Sequence, residues 1–186
     1  MSVFAGKYVA WALVATTLLS AADANAEVRA GAAAGATLTS AFPAWFAGGD
    51  VSVETSVVDH VSIIAEARIQ LYAHPEEEDF GSWGFQEDLG GGVRVHVFRA
   101  ESQQLNPFAV GRARLAVVQR IPFAETDDSD LIVGYIVGGA VGVDWPSSSV
   151  VSRVELAFDM PSFTTHDDSS DPAPELSLVV SAKLPW

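Results

Sequence analysis

The stretch VSIIAEARIQLY, residues 61–72, decides the fold. Its odd positions are Val61, Ile63, Ala65, Ala67, Ile69 and Leu71, all apolar. Its even positions include Ser62, Glu66, Arg68, Gln70 and Tyr72. A period of two is the signature of a β-strand whose two faces meet different surroundings.

The same split recurs along the chain. Over residues 27–38, Val28, Ala30, Ala32, Ala34, Ala36 and Leu38 oppose Arg29, Gly31, Gly35 and Thr37. Val51 to Val57 alternates with Ser52, Glu54 and Ser56. Val93, Val95 and Val97 oppose Arg94 and His96, and Ala113, Leu115 and Val117 oppose Arg112 and Arg114. Residues 131–145 set Val133, Tyr135, Val137, Val141, Val143 and Trp145 against Gly134, Gly138, Ala140, Gly142 and Asp144. Val154, Leu156, Phe158 and Met160 oppose Arg153, Glu155 and Asp159. Leu176, Leu178, Val180, Ala182, Leu184 and Trp186 oppose Ser177, Ser181 and Lys183. Eight segments result, each near the ~9–11 residues of a tilted membrane-spanning strand.

Alternation alone also fits a water-soluble barrel or sandwich with its apolar face inward. Here the apolar face is broad and aliphatic, while the other face is crowded with Arg, Glu and Gly. In an eight-stranded barrel the lumen is just wide enough for side chains to fill it. The expected filling is an ion network of Glu66, Arg68, Arg94, Arg112, Arg114, Arg153 and Glu155, joined by Arg29, Lys183, Glu54, Asp144 and Asp159. Small Gly and Ala residues make room for the long side chains.

Connectors sharpen the choice. Residues 39–50, 74–88, 122–130 and 161–175 read as long; those around 58–60, 101–107 and 146–149 read as short. Strict alternation places every long connector at one end, the asymmetry of outer-membrane barrels with long outside loops and short periplasmic turns. The long connectors hold Asp50, Glu76 to Asp79, Glu87, Asp88, Glu125, Asp127, Asp128, Asp130, Asp167, Asp168, Asp171 and Glu175, with no Lys or Arg. Trp45, Phe46, Trp83 and Phe85 are expected to form a loop aromatic patch. Tyr135, Phe158, Trp145 and Trp186 lie on the outward face, where aromatic belts meet the membrane interfaces.

On these features the segment from residue 27 to 186 resembles the small eight-stranded outer-membrane barrels, the group of the OmpX-like proteins and the OmpA transmembrane domain. The resemblance implies an all-β, eight-stranded, antiparallel up-and-down transmembrane β-barrel in the bacterial outer membrane, with both mature termini periplasmic. It also implies that the barrel-assembly machinery reads the terminal aromatic and the apolar residues at every second position before it. Trp186, with Leu184, Ala182, Val180 and Leu178, matches that pattern. Phe is the usual last residue, so Trp is a departure, and Pro185 lacks an N–H for the ladder.

The first residues fit export. MSVFAGK carries Lys7, an apolar run follows from Tyr8 to Ala22, and Ala24-Asn25-Ala26 closes it. This order predicts a signal peptide over 1–26, cleaved after Ala26. The run is shorter than the ~20 residues of a spanning helix. The chain has no Cys, which excludes a lipoprotein anchor and disulfides, and its net charge of −14 argues against nucleic acid.

No catalytic motif of the G-x-S-x-G or H-E-x-x-H kind occurs. Asp127, Asp128 and Asp130, and Asp167, Asp168 and Asp171, are weak oxygen-ligand candidates for loosely bound Ca²⁺ or Mg²⁺, which would bridge the loops to lipopolysaccharide. The histidines are His60, His74, His96 and His166; a rim-site enzyme acting on lipid or peptide would need one of them beside an acid. A narrow channel is the third reading. The expectation is a non-enzymatic outer-membrane protein with a structural or surface-binding role, contacting lipid, lipopolysaccharide and an unidentified external ligand.

Overall fold

The computed structural model describes residues 26–38, 45–74, 82–99, 104–121, 131–146, 151–164 and 174–184. Of the segment 1–26 expected as a signal peptide, residues 1–25 lie outside them and Ala26 opens the first strand. Eight strands follow one another: β1 (Ala26–Thr37), β2 (Trp45–Val58), β3 (Val61–His74), β4 (Ser82–His96), β5 (Asn106–Ile121), β6 (Leu131–Pro146), β7 (Val151–Thr164) and β8 (Glu175–Lys183). Each pairs antiparallel with the next, and β1 pairs with β8 from Arg29↔Lys183 to Thr37↔Glu175, which closes the barrel. Closure leaves no strand edge, so all the ladders are satisfied within the ring.

Parity assigns the two faces. Leu115, Val133, Val137, Val141, Leu156, Leu178 and Val180 are exposed on the outside, Leu115 to 66%. The inward rows are buried although they are polar: Arg29, Glu54, Arg68, Arg94, Arg112, Arg114, Arg153, Glu155 and Asp159 are all at most 5% exposed. This inverts the soluble pattern, in which charge is wet and Leu is covered. Ile64, Phe108, Val110, Ala140 and Ala157 form a buried apolar cluster among the lumen charges, of which the sequence reading placed only Ala140 on the inward face.

Most strands are longer than the alternation suggested, chiefly at the end away from Ala26 and Lys183. The connectors at that end shrink to 38–44, 75–81, 122–130 and 165–174, against 59–60, 97–105 and 147–150 at the other. Strict alternation of length therefore fails at 97–105, which is as long as 122–130 and longer than 38–44 and 75–81. The tight turn is Asp59-His60, with a register shift between Ser56 and Val58.

Candidate functional site

Inward rows from all eight strands converge on the lumen, where the ion pairs fall into two connected tiers. Nearer Ala26 and Lys183, Arg153 donates from Nε to Asp144 Oδ1 at 2.6 Å and from Nη2 to Oδ2 at 2.8 Å, a bidentate fork. Its Nη1 donates to Glu54 Oε2 at 2.8 Å, an oxygen that also accepts from Arg94 Nη1. Arg29 donates to Glu27 at 3.0 Å and sits 3.9 Å from both Glu54 and Asp144. His96 Nε2 lies 3.2 Å from Glu54 Oε1. Phe108 is held between two guanidinium groups, with Arg94 and Arg153 at 4.7 and 4.9 Å from its ring centre.

Glu155 joins the tiers, accepting from Arg94 at 3.4 Å and from Arg112 at 2.9 Å. In the second tier Arg112 donates from Nε and Nη2 to Asp159, each at 3.3 Å, and Arg114 Nη2 donates to Asp159 Oδ2 at 2.6 Å. Arg114 also lies 3.4 Å from Glu66 and 3.3 Å from Asp88, and Arg68 lies 3.8 Å from Asp159. Farther along, Gln86 Nε2 donates to Asp88 at 2.7 Å, and Tyr72 donates its hydroxyl to Glu175 at 2.9 Å. Removing a charge from water costs several kcal/mol per ion, so dense pairing is the condition for burying these side chains.

Glycines clear the space. Gly90 pairs with Arg114 and Gly92 with Arg112, and a Cβ at either would run into the backbone and side chain of its arginine. Gly142 does the same for Phe108, and Gly138 for Asp159.

The structure brings together Glu66, Arg68, Arg94, Arg112, Arg114, Arg153 and Glu155 in this network. Several other expectations need correction. Trp45, Phe46, Trp83 and Phe85 are strand residues and form no loop patch: Trp45 is 64% exposed on the outer face, while Phe46 is 4% exposed and packs on Tyr72 with ring centres 5.1 Å apart. Phe85 is half-buried on the outward row of β4, the strand that also carries Trp83. Asp50, Asp88 and Glu175 are also strand residues, not loop acids, and Asp88 and Glu175 are buried in the lumen. These acids offset the excess of arginine over carboxylate in the network expected from sequence. Lys183 pairs with Glu27 at 2.7 Å on the rim, its side chain 40% exposed, instead of entering the lumen. Among the assembly residues Leu178 and Val180 are exposed on the outer face, Ala182 and Leu184 are half-buried, and Trp186 lies outside the described residues. Asp127, Asp128, Asp130, Asp167, Asp168, Asp171 and His166 also lie outside them. Among the described residues, no group of three or more acids and histidines is placed to hold a metal ion.

Sequence reasoning missed the roles of His96, Phe108, Gln70, Tyr72, Gln86, Asp88 and Glu175. The signal was there: the parity of Arg94 and His96 runs back through Asp88 and Gln86, and that of Ser181 runs back through Ser177 to Glu175.

A closed antiparallel ring of eight strands, aliphatic outside and ionic inside, is the fold of the small bacterial outer-membrane barrels. Among solved structures it is similar to Neisserial surface protein A (TM-score 0.63, 12% identity, covering 87% of this chain and 97% of that one). It is also similar to Ail, the attachment invasion locus protein of Yersinia pestis (TM-score 0.56, 8% identity, 85% and 96% covered), and to the outer membrane enzyme PagL (TM-score 0.51, 12% identity, 85% and 99% covered). No family model matches the sequence, and no curated protein matches it significantly.

Proposed function

We propose that this chain is an integral outer-membrane protein with a structural or surface-binding role, its lumen serving as a scaffold and not as a pathway. The observation that carries this reading is the inversion of faces: a continuous exposed aliphatic exterior around a buried, mutually paired set of arginines and carboxylates. An apolar surface of that extent is untenable in water and suits lipid. The start of β1 and the end of β8 face the periplasm in this orientation, and connectors 38–44, 75–81, 122–130 and 165–174 face outward.

Those outward connectors carry Glu76, Glu77, Glu78, Asp79, Glu125, Asp127, Asp128, Asp130, Asp167, Asp168 and Asp171, with no Lys or Arg. Such a surface attracts cationic partners, or anionic lipopolysaccharide through Ca²⁺ or Mg²⁺. Ail has been crystallised with the heparin analogue sucrose octasulfate, a polyanion. Bare carboxylates repel a polyanion, so the ligand class differs here. Among the described residues His96 is bonded to Glu54 and His60 to the His96 carbonyl.

Cell fractionation with heat-dependent gel mobility tests compartment and barrel together. Recovery of the mature chain as a detergent-free soluble monomer overturns the reading. Planar-bilayer recording of the purified protein should show no conductance. Neutralising the acids of 165–174 should weaken retention on an immobilised oligolysine peptide while leaving the barrel folded.

A further inference from the structure

The outer face ends differently on two sides of the barrel. At β1 and β8 the outer face near the termini ends in half-buried Val28, Ala182 and Leu184, while the Lys183–Glu27 and Arg29–Glu27 pairs lie on the lumen-facing rows. At β2 to β5 the apolar rows run past the ladder. Val97 continues the Val93–Val95 row of β4, Leu105 precedes Pro107 and Ala109 of β5, and Val57 and Val58 end β2. Together with Phe98, these residues are between 44% and 61% exposed.

The protrusion is built, not frayed. The Asp59-His60 turn is tied to the end of β4 by His96 N–H donating to the His60 carbonyl at 2.8 Å. Val97 N–H donates to the Pro107 carbonyl at 2.9 Å. Asn106 is 1% exposed; its Oδ1 accepts from Phe98 N–H at 3.0 Å, and its Nδ2 donates to the Arg99 carbonyl at 3.0 Å. The backbone at Phe98 and Arg99 is thereby fixed. Beyond the apolar side chains, exposed Arg99 pairs with Asp59 at 3.3 Å.

We infer that the corner formed by Val57, Val58, Val97, Phe98 and Leu105 is a membrane-docking surface that seats in the headgroup–acyl boundary of the leaflet on the termini side. The inference rests on the lipid-facing reading of the outer band. Two features favour lipid over a second protein. The rows continue the outer band without interruption. An aromatic and aliphatic cluster is capped by an arginine, whose stem lies along apolar surface while its head stays at the polar layer. Two residues at ~3.3 Å rise on strands tilted ~40° extend the wetted edge by about 5 Å.

The chain has no cysteine, so single labels can be placed cleanly. Phe98→Cys, Leu105→Cys, Val141→Cys and Glu27→Cys, each carrying a thiol-linked environment-sensitive fluorophore, are folded into phosphatidylethanolamine–phosphatidylglycerol vesicles with and without brominated acyl chains. Folding is verified by heat-dependent mobility. Quenching at position 98 or 105 within about twofold of that at 141, with 27 unquenched, is the expected result. Labels at 98 and 105 that are no better quenched than 27 and are reached by aqueous iodide overturn the inference. Shielding of both from lipid and iodide alike overturns it in favour of a second copy or another protein. Absence of quenching at 141 overturns instead the lipid-facing reading on which it stands. Leu105→Cys keeps the test open if the Phe98 variant does not fold.

Discussion

Asp159→Asn tests the lumen most directly. The substitution preserves shape and removes one negative charge from contact with three arginines, all of them at most 4% exposed. The loss does not fall on them equally. Arg112 keeps Glu155 at 2.9 Å, and Arg114 keeps Glu66 and Asp88 at 3.4 and 3.3 Å. Among the described residues Asp159 is the one carboxylate within ion-pair distance of Arg68. Arg68 thereby loses its closest carboxylate, and breaking a buried pair in this way costs about 3–5 kcal/mol. If so, adding Arg68→Met to Asp159→Asn should restore a large part of the loss, with a coupling of roughly 1–3 kcal/mol. Lys183→Gln on the rim, where Lys183 is 40% exposed, should cost less than about 1 kcal/mol. The assay is urea unfolding and refolding in phosphatidylcholine vesicles, followed by tryptophan fluorescence and heat-dependent mobility. An Asp159→Asn barrel as stable as the rim variant, or a double variant whose losses merely add, would refute the account of a mutually dependent ionic interior.

Other outcomes follow from the same geometry. Gly90→Val puts branched bulk against the Arg114 backbone and Cγ, and should destabilise by at least ~1–3 kcal/mol in the same titration. Phe108→Ala removes the ring between Arg94 and Arg153 and should cost about 3–5 kcal/mol. Val137→Arg on the exposed outer face should cost about 2–4 kcal/mol in bilayers if it lies near mid-membrane, and far less if the protein is water-exposed. Trp186→Ala should slow barrel assembly in cells while leaving vesicle refolding of the purified chain unchanged.

How far the sequence could be read depended on how local the signal was. Strand number and facing were legible because a period of two needs only neighbouring residues: Ile63 and Ile69 against Glu66 and Arg68 suffice. Strand limits were less legible. Gly48-Gly49-Asp50 has the composition of a turn, yet it continues β2, and at Gly48 a side chain would meet the Ile69 carbonyl across the ladder. Carrying the parity of Ser52 and Glu54 back through Asp50 and Gly48 reaches Phe46 and would have put that ring inside. Partner choice was beyond reach in principle. Tyr72 with Glu175, and Arg153 with Glu54, are brought together by barrel curvature, and nothing in the local pattern selects among the carboxylates of one tier.

The seam between β1 and β8 bears on kinetics. Because residues near 29 bond to residues near 183, the hydrogen-bonded circle is completed by the most sequence-distant contacts in the molecule. In a bilayer, any shorter subset of strands would expose two raw flanks to the lipid tails, so partial structures would gain little until the last neighbour docks. Opening there would be equally penalised, since parting any adjacent pair would bare peptide groups where no water waits. Such a ring should be slow to make, slow to lose, and resistant to protease in between.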